Sequence, residues 1–136
     1  MNRRRLLQTA TLVPLQAVRG SAQNSAIRVG IIGVGSRGAY TGTAIAKDAR
    51  VKVVALCDAV DSQIDKAKAR IGANDAKAYR NFQDLLNDKN VDAVMIATPV
   101  YLHPEHFEAA VKSGKHIYME KPAGLDVAGC KRVMRA

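Results

Sequence analysis

The chain has 136 residues, 48% apolar and 4% aromatic with no tryptophan, which suits one Ala/Val/Ile-rich domain and excludes wholesale disorder. Its formal charge of +9 falls to +5 once Arg3, Arg4, Arg5 and Arg19 of an acid-free leader are set aside. The other bases alternate with acids, as in Asp65-Lys66-Ala67-Lys68-Ala69-Arg70, a solvated surface rather than a nucleic-acid footprint. No window offers the roughly 18 unbroken apolar residues of a membrane span.

Residues 1–22 read as an export signal. Met1-Asn2-Arg3-Arg4-Arg5 is followed by a modest apolar run from Leu6 to Val18, then by small residues at Gly20-Ser21-Ala22 suited to signal-peptidase cleavage before Gln23. Arg3-Arg4-x-Leu6-Leu7 resembles the twin-arginine signal, and weak hydrophobicity with a basic Arg19 fits that route better than general secretion. A periplasmic protein is then expected. That pathway moves proteins that have already folded in the cytoplasm. The alternative is a basic tail or a membrane-surface arm.

After a linker at residues 23–26, residues 27–136 alternate between two periodicities. Ile27–Ile32 and Val51–Cys57 are nearly continuous β-branched runs, the pattern of parallel strands buried on both faces. Between them lies a helical stretch, Ala39–Lys47. Asp61–Ile71 predicts a helix with Ile64, Ala67 and Ile71 on one face, stopped by Gly72. Ala76–Tyr79 is a short third strand, and Asn81 caps a helix over Phe82–Leu86. Asp92–Thr98 is the fourth strand, stopped by Pro99. His103–Ser113 is a helix with Phe107, Ala110 and Val111 inward and His106 solvated. His116–Glu120 is the fifth strand, and Asp126 caps a last helix. Five strands alternating with helices over short links imply an α/β fold with a parallel sheet and right-handed crossovers.

Gly33-Val34-Gly35-Ser36-Arg37-Gly38 stands between the first strand and the first helix, with Asp58 ending the second strand. A glycine fingerprint alone is weak evidence, but this context is the one a Rossmann dinucleotide site requires. Gly33 permits the tight turn, Gly35 lets the backbone approach the pyrophosphate, and Gly38 lets helix and strand pack closely. Ser36 belongs to this loop ahead of the helix, whose free N–H groups and positive dipole end face the phosphates. Asp58 is placed to accept bonds from the adenine ribose and to repel a 2′-phosphate, favouring NAD over NADP. Arg37 blurs that preference, since a guanidinium could serve either phosphate. Cys57 and Cys130 form no CxxC pattern and read as small apolar residues. His103 and His106, three apart, have no third partner that would make a metal site.

Three segments together resemble the Gfo/Idh/MocA oxidoreductases, the family of glucose–fructose oxidoreductase and inositol dehydrogenase. They are the glycine loop, Ala97-Thr98-Pro99-Val100-Tyr101-Leu102-His103, and Glu120-Lys121-Pro122. The resemblance implies that Thr98 and Pro99 line the cofactor cleft, that His103 begins the helix behind it, and that Glu120 and Lys121 stand near the nicotinamide ribose and the substrate. Lys121 would hydrogen-bond the reacting hydroxyl and stabilise its alkoxide character, with Glu120 in support. Many members have Asn where this chain has Val100, a polar contact that Tyr101 could take over. The family adds a larger substrate domain after this one, so the chain is expected to be a fragment or a stand-alone cofactor domain, from relatives that are homo-oligomeric. The implied activity is oxidation of a CH–OH group in a sugar, a polyol or a related small molecule. The alternatives are an NAD-dependent glycoside hydrolase of the same superfamily and a non-catalytic nucleotide-binding remnant.

Overall fold

A computed structural model describes residues 26–136, so the leader and most of the linker lie outside the described residues. Five parallel strands, β1 (Ile27–Ile32), β2 (Val51–Cys57), β3 (Lys77–Tyr79), β4 (Ala93–Ile96) and β5 (His116–Met119), are ordered β3-β2-β1-β4-β5. Chain order reverses between β1 and β4, which makes a switch point at their carboxyl ends. The expected α/β Rossmann sheet is the observed one.

Helices cover both faces. On one, α1 (Ser36–Ile45) and α2 (Asp61–Ile71) seal Val29, Ile31, Val53, Leu56 and Met95, with Ile64, Ala67 and Ile71 contributed by the apolar stripe of α2. On the other, α3 (Phe82–Asn87) and α4 (His103–Lys112) enclose Ile32, Ala55, Leu85, Val94, Ile96 and Ala110. A last helix, α5 (Val127–Arg135), lies beside α4 through an Arg132–Glu108 pair. Asn81 and Asp126 cap their helices as predicted, accepting bonds from the Gln83 and Gly129 N–H groups.

Two local expectations need correction. Helix α1 begins a turn earlier than Ala39, because Gly35 is already its N-cap and the second half of the glycine loop is helical. In α4 the inward row is His103, His106 and Ala110, with Phe107 partly buried and Val111 turned outward. The helix takes that rotation because both histidines are tied to Thr98 at the end of β4. A short 3₁₀ turn, Val100–Leu102, feeds the chain into α4.

Candidate functional site

The strands end almost flush at one edge of the sheet. Beyond the regular strands, Gly33 N–H donates to the Cys57 carbonyl at 2.8 Å, Ala97 N–H to Ile32 at 2.8 Å and Glu120 N–H to Ile96 at 2.9 Å. Gly33, Asp58, Thr98 and Glu120, far apart in sequence, therefore stand in one row along the edge where open α/β sheets bind ligands.

The glycines of the loop differ in what demands them. Gly33 has φ +85°, and a Cβ there would sit 2.7 Å from the Thr98 nitrogen. A Cβ on Gly38 would lie 1.8 Å from the Gly33 carbonyl oxygen. Both are required by the protein's own backbone. Gly35 is not: its φ of −64° and ψ of −159° suit any residue, and a Cβ would meet nothing within 4 Å. Of the three glycines in the loop, only Gly35 faces open space, and it does so beside a helix start with no side-chain cap and no acid in its first turn. Such a cradle fits a phosphate group.

Beside it opens a cleft of about 310 Å³, lined by Gly33, Asp58, Ala59, Arg80, Phe82, Thr98, Pro99, Tyr101 and His106 among others. A hollow of similar volume at the opposite end of the sheet, between Ala46, Val51 and Gly72–Ala76, is lined by the C-terminal ends of α1 and α2 rather than by a helix N-terminus. Asp58 is held on both oxygens: Oδ2 accepts from the Val34 N–H and Oδ1 from the Val60 N–H, each at 3.0 Å. Each oxygen keeps a further lone pair for a ribose hydroxyl. Cys57 beside it is buried, which together with the nearby Asp58 and Asp84 charges pushes its thiol up to about 12. It is an inert wall rather than a nucleophile.

Two histidines of α4 hold the cleft's floor. His103 is almost fully buried between two main-chain carbonyls, with Nδ1 2.7 Å from the Pro122 oxygen and Nε2 2.9 Å from the Thr98 oxygen. A carbonyl only accepts, so wherever either contact is a hydrogen bond the ring N–H is its donor. His103 thus fills the space between the Thr98 loop and the Glu-Lys-Pro loop from behind. His106, expected to be solvated, is instead 6% exposed. Its Nδ1 lies 3.0 Å from Thr98 Oγ1, and its ring meets Phe82 at a centroid distance of 4.1 Å. Burial pushes its imidazole below the ordinary histidine range, against a smaller opposing effect of Glu105.

The other expected site residues spread around this centre. Ser36 and Arg37 are exposed on the first turn of α1, and the Arg37 guanidinium stands 6.0 Å from the Tyr40 ring centroid, outside the cleft. Glu120 and Lys121 lie on the β5 side, away from the Asp58 cleft, and Lys121 is exposed. The Lys121–Pro122 peptide is cis. Sequence reasoning missed Thr41, whose hydroxyl donates to Glu120 Oε1 at 2.9 Å. It also missed the cleft-wall role of Arg80, Phe82 and His106. Only the second histidine of the His103–His106 pair carried a signal that could have been read. Among the described residues no cluster of three or more His, Cys, Asp or Glu side chains could hold a metal ion.

The residues fit a dinucleotide: an open cradle at Gly35, a helix N-terminus behind it, and a fixed carboxylate at the end of β2. Comparison with known proteins agrees. The chain is 34% identical over 111 residues to inositol 2-dehydrogenase from Salmonella typhimurium, covering 81% of this chain and 33% of that protein. It superposes on the crystal structure of scyllo-inositol dehydrogenase from Lactobacillus casei, which has NAD(H) and scyllo-inositol bound, with a TM-score of 0.73 and 32% identity, covering 81% of this chain and 32% of that one. It is 28% identical over 151 residues to a glycosyl hydrolase family 109 protein from Solibacter usitatus, covering 95% of this chain and 34% of that protein. The chain thus spans about a third of the length of these relatives. The model of the Gfo/Idh/MocA oxidoreductase family, NAD-binding Rossmann fold, matches residues 27–136, and the chain belongs to that family.

Proposed function

We propose that residues 27–136 are the NAD-binding domain of an oxidoreductase that acts on a CH–OH group of a polyol or sugar. The observation that carries this reading is the glycine at position 35, which the fold itself does not need and a phosphate does. The glycine turn and α1 would hold the pyrophosphate, Asp58 the adenine ribose, and Thr98 and Pro99 the floor beneath. NAD, when bound, supplies the hydride acceptor. Lys121, solvent-facing at the end of β5, would donate a hydrogen bond from Nζ to the substrate hydroxyl oxygen and stabilise the negative charge that develops there. Asp58 supports NAD over NADP, because its carboxylate is fixed where a 2′-phosphate would have to stand. The reading includes no nucleic-acid partner, and a homo-oligomer is proposed by analogy with full-length relatives.

A calorimetric titration tests this directly. NADH is expected to bind at least about tenfold more tightly than NADPH, and Asp58→Ala to narrow the gap by weakening NADH alone. Failure of folded protein to bind either nucleotide would overturn the proposal. The same samples, given a polyol with NAD, report any hydride transfer as NADH absorbance.

One observation favours a second reading. The match to the family 109 hydrolase covers more of this chain than residues 27–136 can supply, so it extends into the segment ahead of Ile27. On that reading the domain uses NAD to oxidise a sugar transiently and release a glycoside. Release of nitrophenol from nitrophenyl glycosides, dependent on NAD but without net NADH, would select it over the dehydrogenase.

The same segment supports export by the twin-arginine route to the periplasm, with residues 1–22 as the signal. C-terminally tagged protein expressed in a Gram-negative bacterium is expected in the periplasm with Gln23 as its first residue. Changing Arg3 and Arg4 together to lysine should leave it uncleaved in the cytoplasm. Periplasmic delivery of that variant would remove the twin-arginine assignment.

A further inference from the structure

The two threonines of α1 place their hydroxyls differently. Thr43 Oγ1 donates back to the Ala39 carbonyl at 2.8 Å, the habit of a threonine inside a helix. Thr41 Oγ1 instead reaches to Glu120 Oε1, 2.9 Å away and 79 residues on. The reach follows from the alternation of β5. Tyr118 pairs with Met95, which belongs to the core on the α1 face, and the next residue pointing that way is Glu120. Among the described residues Glu120 Oε2 has no hydrogen-bond partner, so one oxygen is fixed and the other is available.

This bond completes a set of anchors on residues 120–122. Glu120 N–H is held by Ile96 of β4, its carboxylate by Thr41 of α1, and the Pro122 carbonyl by His103 of α4. Lys121 stands between them without a salt bridge to any described residue. Its place is therefore set through its neighbours. A dinucleotide lying across the switch point, with its adenine ribose at Asp58 of β2, puts its other half toward β4 and β5. Thr41 is on the same helix whose N-terminus faces the phosphates, so it links that helix to the far end of the cofactor.

We propose that Thr41 is a positioning residue for the nicotinamide half of the site, acting by holding the Glu120 carboxylate and with it the Glu-Lys-Pro loop. The inference rests on the NAD reading above. Thr41→Val keeps the shape of the side chain and removes the donor. It is expected to raise the Kd for NADH about fivefold while leaving that for ADP-ribose, which lacks the nicotinamide, unchanged. Thr41→Ser should restore the wild-type value, and Thr41→Val should add nothing in a Glu120→Ala background. Equal weakening of NADH and ADP-ribose, no weakening of NADH, or additive effects in the double variant would each overturn the proposal.

A second arm needs no ligand. Amide hydrogen exchange at Lys121 and Ala123 should accelerate in Thr41→Val and not in Thr41→Ser, and unchanged exchange in the valine variant would refute the latch. Should valine prevent folding, Thr41→Ala serves in both arms. If wild-type protein binds neither NADH nor ADP-ribose, the NAD reading is what fails, and the exchange arm still decides whether Thr41 holds the loop.

Discussion

Gly35→Val is expected to leave the domain folded and to weaken NADH binding by about a hundredfold or more. The two halves of that expectation come from one fact. A Cβ at position 35 meets no atom beyond its chain neighbours within 4 Å, and the backbone there is extended with a negative φ. The added Cβ meets no steric resistance from the rest of the fold, so the thermal midpoint is expected to move by only a degree or two. The space the side chain would fill is the approach to the first N–H groups of α1, which carry no cap. A branched side chain there keeps a phosphate out of hydrogen-bond reach of the turn, removing charge-assisted bonds worth about 1.5–3 kcal/mol each. Gly35→Ala should fall between the two. Titration with NADH beside a melting curve checks both halves, and a folded valine variant with ordinary affinity would mean that the pyrophosphate does not cross this turn.

How much of this was legible beforehand depended on whether a residue's place is decided locally. The β-branched runs, the Ile64/Ala67/Ile71 stripe and the caps at Asn81 and Asp126 report only the element they sit in, and the structure agrees with each. The glycine loop was legible because Gly33 and Gly38 are steric requirements of the strand–turn–helix corner. What escaped was settled by tertiary partners of polar residues. Apolar periodicity pointed Val111 inward and His106 outward. The bond from His106 to Thr98 and its contact with Phe82 rotate α4 the other way. Thr41 gave no signal, since a threonine inside a helix ordinarily satisfies itself on its own backbone, and its partner comes from a strand 79 residues away.

Gly38→Ala, three positions beyond Gly35, has the opposite expectation: loss of the fold rather than of the ligand. Its added carbon would lie 1.8 Å from the Gly33 carbonyl oxygen and 2.9 Å from the carbon of the same group. Those atoms are backbone, so no rotamer change relieves the contact. Gly33 cannot retreat, because its N–H is bonded to Cys57 and a Cβ on Gly33 itself would already lie within 2.8 Å of the Ala97–Thr98 peptide. Helix α1 would have to lift from the end of β1, opening the contacts that bury Val34 and Ala39. Overpacking relieved only by backbone movement costs about 3 kcal/mol or more. That is a large share of the roughly 5–15 kcal/mol that holds a domain together. The thermal midpoint should therefore drop by more than about 10 °C. Saturating NADH should recover little of it, because the displaced helix start is the phosphate site. A Gly38→Ala domain that melts with the wild type would show that α1 does not pack against the Gly33 carbonyl as described. Gly35→Val and Gly38→Ala measured side by side would then separate the glycine kept for the ligand from the glycine kept for the fold.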